Sequence, residues 1–160
     1  MKIFSLSLFL LLIISISFTF VHGETSKGDM SVSLNYPGLG FNYFLSDNIS
    51  LGVKFQTEQD ITVTGIRGYY YLSNKSGINY FAGAEADMTT FTGETGKGTG
   101  TALEVFIGGE YFLGKFNDKL SLGLDFGPAL INLANTGNSV SVSGTEFVIN
   151  VSINWYFKHT

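Results

Sequence analysis

Eight charged side chains lie well inside segments that alternate polar and apolar residues, and all eight fall on the polar parity. They are Lys54, Arg67, Glu85, Asp87, Glu104, Glu110, Asp125 and Glu146. Six carboxylates gathered with two basic groups could bind a cation or relay protons. They could instead pair with one another as a buried network of salt bridges and hydrogen bonds. The choice depends on the elements that carry them and on what encloses their face.

Histidine, the usual general base, is almost absent from the chain. His22 lies in an apolar N-terminal segment and His159 lies next to the C-terminus, so neither falls within a predicted strand. Serine–histidine or aspartate–histidine catalysis therefore lacks its base, and we expect no enzymatic activity. The stretch GETGKGTG over 93–100 invites comparison with a phosphate loop, but Gly98 follows Lys97 where Ser or Thr is required. We interpret this stretch as an exposed loop.

No motif in the sequence indicates a metal or a cofactor. The chain has no cysteine, no cluster of histidines and no Asp-x-Asp-x-Asp loop. Thiolate zinc sites and calcium loops of that kind need those ligands, so we expect neither metal nor cofactor.

The first 23 residues have the composition of a secretory signal peptide. Lys2 precedes a long apolar and Ser/Thr-rich run that ends at Val21-His22-Gly23, which predicts cleavage after Gly23. The remaining residues 24–160 suit one domain. They contain 8 basic and 13 acidic residues, a net charge of −5, which argues against nucleic acid as a partner.

Period-2 alternation recurs through the mature chain, and no stripe of period 3.6 interrupts it, so the fold is predicted to be all-β. The predicted strands are 30–36, 39–46, 49–57, 61–73, 78–90, 101–113, 120–133 and 143–157. Short turns alternate with longer loops at 92–100 and 134–142, which predicts an antiparallel up-and-down barrel. The parity switch at Pro37-Gly38 fits either a hairpin, giving eight strands, or a bulge, giving seven.

Parity also divides each strand into an apolar and a polar face. In the segment 49–56, Ile, Leu, Val and Phe alternate with Ser, Gly, Lys and Gln. A soluble lipocalin-like barrel would show the same alternation with the apolar face inward. The polar face is rich in Gly and Ser, which suits a narrow lumen, and aromatic residues crowd beside the short turns as a membrane-interface girdle would. The girdle residues are Tyr43, Tyr70, Tyr80, Tyr111, Trp155 and Phe157.

One unit recurs along the chain: an aromatic doublet, a leucine, a polar turn and a Ser-Leu-Gly. It appears as NYFLSDNISLGV over 42–53 and EYFLGKFNDKLSLGL over 110–124, with a looser copy, YYYLSNKSGINYFAG, over 69–83. With this repeated hairpin the mature chain resembles the small eight-stranded outer-membrane barrels of Gram-negative bacteria, the superfamily of the OmpA and OmpX barrels. The final segment, FVINVSINWYF, is similar to the C-terminal signal read by the barrel-assembly machinery of that group.

The resemblance implies a monomeric, porin-like transmembrane β-barrel in the outer membrane, in contact with outer-membrane lipids and delivered by the barrel-assembly machinery. It implies a structural, surface-interaction or lipid-interaction role. Two alternatives stay open: a narrow ion or solute channel, and a soluble lipocalin-like ligand-binding barrel. Because eight-stranded lumens are filled by side chains, the eight charged residues are predicted to form a lumenal polar network.

Arg67 is the only arginine in the chain. Its parity places it in the lumen, where a guanidinium needs carboxylate partners. Glu85 or Asp87, on the next strand, are the nearest candidates by sequence, and Glu104, Glu110 and Asp125 lie within reach across a narrow barrel.

Overall fold

The computed structural model describes residues 25–73, 78–93, 96–114, 119–135 and 141–159. The predicted signal peptide, residues 1–23, lies outside the described residues. The strands are β1 (Met30–Asn35), β2 (Gly38–Ser46), β3 (Ile49–Glu58), β4 (Ile61–Ser73), β5 (Ile78–Gly93), β6 (Gly96–Phe112), β7 (Leu120–Asn135) and β8 (Ser141–Phe157). In the described part of the chain, no helix is long and apolar enough to cross a membrane.

The eight strands form one closed barrel in sequence order, each antiparallel to its neighbours. The ring closes between β1 and β8, where Met30 lies opposite Phe157 and Asn35 lies opposite Ser152. Because the ring is closed, no strand has an unpaired edge at the level of these β1–β8 pairs. A closed sheet can in this way satisfy all of its backbone hydrogen-bonding groups. The all-β, up-and-down, eight-stranded prediction is confirmed.

The first two strands form a tight hairpin rather than one bulged strand. Tyr36 and Pro37 occupy the turn, and Gly38 adopts a positive φ of 142°. A side chain at Gly38 would overlap the carbonyl oxygen of Phe55, so the turn requires glycine both for its dihedral angle and for space. The seven-strand alternative is therefore wrong.

The long strands reach farther than predicted. The 92–100 and 134–142 segments were expected to be loops, but Gly93 pairs with Gly96 and Ala134 pairs with Ser141. Thr92 and Thr99 lie within the extended ladder, as β-branched threonine favours extended backbone. The prediction of short turns at one end and longer loops at the other is also wrong, since the seven-residue 113–119 connection lies at the end where β1 begins and β8 ends.

The barrel has two ends, which differ in the connections they carry. The terminal end carries Met30 and Phe157, and the far end carries the β1–β2, β3–β4, β5–β6 and β7–β8 connections. Along most of the barrel the large apolar side chains point outward and are exposed, while polar side chains point inward and are buried. The inner apolar core is a cluster of aromatic rings toward the terminal end, made of Phe44, Tyr71, Phe81, Phe106, Phe112 and Tyr156, with Tyr69 packed against it.

Candidate functional site

Arg67 is the centre of the lumenal charge network. Its Nε lies 2.7 Å from Oε2 of Glu85, which is its cross-strand neighbour on β5. Its terminal nitrogen donates to Oδ1 of Asp125 on β7 at 2.9 Å, so the guanidinium spans the lumen between two walls. Asn150 on β8 donates to the same Asp125 oxygen at 2.8 Å. All four residues are buried, so water screens these charges little.

Arg67 also packs against aromatic rings. Its guanidinium carbon lies 4.3 Å from the centre of the Phe106 ring and 5.2 Å from that of Tyr69. A cation over an aromatic face is attracted by the partial negative charge of the electron-rich face of the ring, and the attraction grows when water is excluded. The aromatic cluster therefore supports the charge network from the terminal side.

Lys54 completes the pairing of the acidic residues on β5. Its ammonium forms a salt bridge with Glu85 and lies 3.8 Å from Asp87. Gly65, opposite Asp87 on β4, leaves the space that the carboxylate occupies, because a Cβ there would overlap an Asp87 oxygen. The small residues of the polar face thus make room for longer charged neighbours.

Glu110 forms a second polar site nearer the terminal end. The residue is buried, and its carboxylate accepts hydrogen bonds from Ser121, from Asn154 at 2.6 Å and from the Tyr156 hydroxyl at 2.7 Å. Three neutral donors surround it, in contrast to the cations that hold Glu85. Charge-assisted hydrogen bonds of this kind are stronger than neutral ones.

The structure brings together most of the eight predicted network residues. Glu104 is buried beside Glu85, its cross-strand partner, and its Oε1 has no hydrogen-bond partner among the described residues. Asp87 is only half-buried. Glu146 has the inward parity but is exposed. It lies in the part of β8 nearer the far end, beyond the last residue that pairs with β1. It therefore lies outside the buried part of the network.

The aromatic doublets divide between the two faces. Of the predicted girdle, Tyr43, Tyr70, Tyr80, Trp155 and Phe157 point outward with 40 to 54 % of their surface exposed, and Tyr111 is half-buried. An aromatic neighbour of each points inward: Phe44, Tyr71, Phe81, Phe112 and Tyr156, the last between Trp155 and Phe157, are at most 4 % exposed. Sequence reasoning missed this inner aromatic layer, although the doublets themselves contained the signal, because consecutive residues in a strand face opposite sides.

Side chains fill the lumen between these layers. The internal cavity bounded by Asn42, Tyr69, Glu110 and Asp125 measures about 20 Å³, enough for about one water molecule. No group of three acidic, histidine or cysteine side chains in the described residues is placed to hold a metal ion. His159 lies outside the lumen, where its backbone nitrogen donates to Asp29.

These features define an eight-stranded up-and-down β-barrel with a polar lumen plugged by charges and aromatic rings. The same fold occurs in the crystal structure of the N-terminal β-barrel domain of Pseudomonas aeruginosa OprF, with a TM-score of 0.60 and 12 % sequence identity. The match covers 83 % of this chain and 100 % of that one. At this identity the likeness concerns the fold alone. No protein-family model and no curated protein matches the chain.

Proposed function

We propose that this chain is an outer-membrane β-barrel of Gram-negative type, exported by its cleaved signal peptide, with a structural, surface-interaction or lipid-interaction role and no catalysis. The observation that carries the proposal is a continuous apolar band around the outside of the ring. Every strand contributes to it, for example through Val32, Phe41, Val53, Ile66 and Val105. Soluble monomers rarely expose contiguous apolar patches of this extent.

The height of the band supports the proposal. On β8 the outward residues are apolar from Phe147 to Phe157. The outward residues nearer the far end, Thr145, Ser143 and Ser141, are polar. Eleven strand residues tilted by about 40° rise roughly 25 Å, which is the height of the apolar band of outer-membrane barrels. The outward tyrosines and Trp155 mark the terminal boundary, where amphipathic rings contact both lipid and water.

The two alternative functions fit less well. A soluble ligand-binding barrel would bury its apolar face, whereas here the buried face carries Lys54, Arg67, Glu85 and Glu110. A channel needs a continuous aqueous path, whereas ion pairs and aromatic rings occupy this lumen. We therefore take outer-membrane lipids as the main partner, with the barrel-assembly machinery acting during biogenesis, and the folded barrel as a monomer.

Membrane fractionation followed by gel electrophoresis with and without boiling tests the proposal. We expect the mature chain in the outer-membrane fraction, migrating as a compact species that shifts on boiling, because closed membrane barrels resist detergent unfolding. Recovery in the soluble fraction without a heat-dependent shift would overturn it.

A further inference from the structure

The polarity of the two faces reverses toward the far end of the barrel. Around Arg67 the inner face is polar. From Lys54 and Asp87 toward the far end, the inner face of β4 to β8 becomes largely apolar, while β3 contributes Gln56 and Glu58. One row of cross-strand partners on this inner face is Gln56, Val63, Thr89, Gly100, Leu133 and Val142, and the next is Glu58, Ile61, Phe91, Gly98 and Asn135. The outer face at the same level consists mainly of Thr, Ser and Asn: Thr62, Thr64, Thr90, Thr99, Thr101, Asn132, Ser141 and Ser143. The far end is therefore an apolar vestibule with a polar exterior.

Glycines shape the vestibule wall. A Cβ at Gly98 would overlap the Phe91 ring, and one at Gly100 would overlap a methyl group of Leu133. The two large side chains thus lie flat over the glycines instead of filling the centre. This arrangement keeps an open space between apolar walls.

The vestibule is open on one side. The β1–β2 hairpin ends at Tyr36 and Pro37, whereas β8 continues upward to Ser141. Beyond the bond from Tyr36 nitrogen to Val151 oxygen, the described part of β8 pairs with β7 only. A notch therefore separates the far-end part of β8 from the β3–β4 hairpin, with Pro37 at the base of the notch.

A cavity of about 760 Å³ runs from this notch into the vestibule. It is lined by Pro37 at the notch, by Ile61, Val63 and Phe91 on the wall, and by Leu133 on the opposite strand. Its volume lies within the range of small-molecule sites, which are usually apolar clefts with a few polar groups. Leu34 and Leu39, the outward pair nearest the turn, carry the apolar band up to the lip of the notch.

We propose that the vestibule binds the hydrocarbon chain of a single-chain amphiphile with a cationic head group, which enters sideways through the notch from the lipid layer. The inference rests on the proposed membrane function, because only a band embedded in lipid brings the lip of the notch against acyl chains. The chain of the ligand lies along Val63, Phe91 and Leu133, and its head group remains at the rim.

The rim sets the preference for a cation. Gln56, Glu58, Gln59 and Asp60 form the polar side of the cavity, and of the described residues that line it none is Lys or Arg. Lys97 lines the adjoining groove with Gln59 and Asp60, so the two carboxylates outnumber the nearby cation. Two carboxylates beside an apolar wall attract an ammonium head group and repel the carboxylate head group of an anionic amphiphile.

The experiment measures equilibrium binding of radiolabelled dodecylammonium and dodecanoate to the barrel in lipid nanodiscs, with the uptake by empty nanodiscs subtracted. We expect saturable binding of dodecylammonium and weaker binding of dodecanoate. Phe91→Asn and Leu133→Asn should each weaken dodecylammonium binding about tenfold, the effect of losing contact with one large apolar side chain. Thr90→Asn, next to Phe91 but on the outer face, is the matched control and should bind like the parent.

The head-group preference has its own test. Glu58→Gln combined with Asp60→Asn should abolish the advantage of dodecylammonium over dodecanoate. Tighter binding of dodecanoate to the parent, or unchanged binding by both Phe91→Asn and Leu133→Asn in heat-modifiable barrels, would overturn the inference. Insertion into nanodiscs without saturable binding would overturn it and leave the proposed function intact, whereas failure to insert would overturn both.

Discussion

At the scale of single residues, Arg67 connects strands that the backbone hydrogen bonds of the sheet do not join. Its guanidinium holds Glu85 on the adjacent strand and Asp125 three strands away in sequence order, while its face packs on Phe106. Hydrogen bonds between neighbouring strands fix the circumference of the barrel, and this side chain adds a link across its interior. Its removal would leave buried Asp125 without its cationic partner and Glu85 with Lys54 alone.

Arg67→Met should therefore destabilise the folded barrel by about 3 kcal/mol, the cost of breaking a buried ion pair from one side. The free energy of unfolding, measured by urea titration in lipid vesicles, checks this. Adding Asp125→Asn should recover part of the loss, because the second change removes one uncompensated charge. Parent-like stability of Arg67→Met, together with reaction of Arg67 in the parent with a bulky impermeant reagent, would show that the residue is exposed.

Tyr156 allows a smaller change at the other polar site. Tyr156→Phe keeps the buried ring and removes the hydroxyl that donates to Glu110 at 2.7 Å. The expected loss is about 2 kcal/mol, as for other hydrogen bonds to a charged acceptor. Tyr80→Phe, on an outward-facing ring that is half exposed, should change the free energy of unfolding much less. Equal effects of the two changes would contradict the proposed role of the Glu110 site.

At the scale of the strand, the outward face of β6 provides a graded test of the membrane position. Val105 lies within the apolar band, and Thr101 lies on the same face of the same strand, above the band. Val105→Arg should cost about 2–4 kcal/mol of folding stability in bilayers, because a charge at mid-membrane loses its hydration. Thr101→Arg should cost much less.

Val151→Arg on β8 should behave like Val105→Arg, since it faces outward in the same band. Gln56→Arg, on the inner face near the far end, should be tolerated. Similar costs at Val105, Thr101 and Gln56 would contradict the placement of the apolar band in lipid.

Strand positions and faces could be predicted from the sequence because a period of two is a local property. The outward positions of Val53 and Val105 follow from alternation alone. Asp125 was only one of several candidate partners for Arg67, because the choice among them depends on how the ring closes and on which walls then face each other. The exposure of Glu146 depends on a comparison between strands, since β8 extends beyond β1. The ladder pair of Gly93 with Gly96 was missed because glycine and threonine are also typical of loops.

At the scale of the whole molecule, the lumen contains three zones in order along the barrel axis. Aromatic rings occupy the terminal end, the Arg67 network occupies the middle, and the apolar vestibule occupies the far end. Ion pairs alone would leave polar paths for water, and rings alone would leave the carboxylates unpaired. Together they fill an interior as narrow as that of an eight-stranded barrel.

This zoning predicts that the parent barrel conducts no resolvable ionic current in planar bilayers. The block should depend on Phe81 and Phe106, whose rings cover Gly108 and Gly83, where a Cβ would overlap them. Truncating both rings exposes glycine backbone and should join the 20 Å³ cavity to the space around Arg67. Phe81→Ala combined with Phe106→Ala should therefore produce discrete conductance steps, provided that heat-modifiable mobility shows a folded barrel.

The outward ring pair Phe126 and Phe147, with centres 5.9 Å apart, supplies the matched control. Phe126→Ala combined with Phe147→Ala removes as much ring volume from the lipid-facing side, so it should lower stability without creating current. A parent current equal to that of the inner double variant would mean that water already passes the rings. The lumen would then be a conducting path, and the charges around Arg67 would set its ion selectivity instead of sealing it.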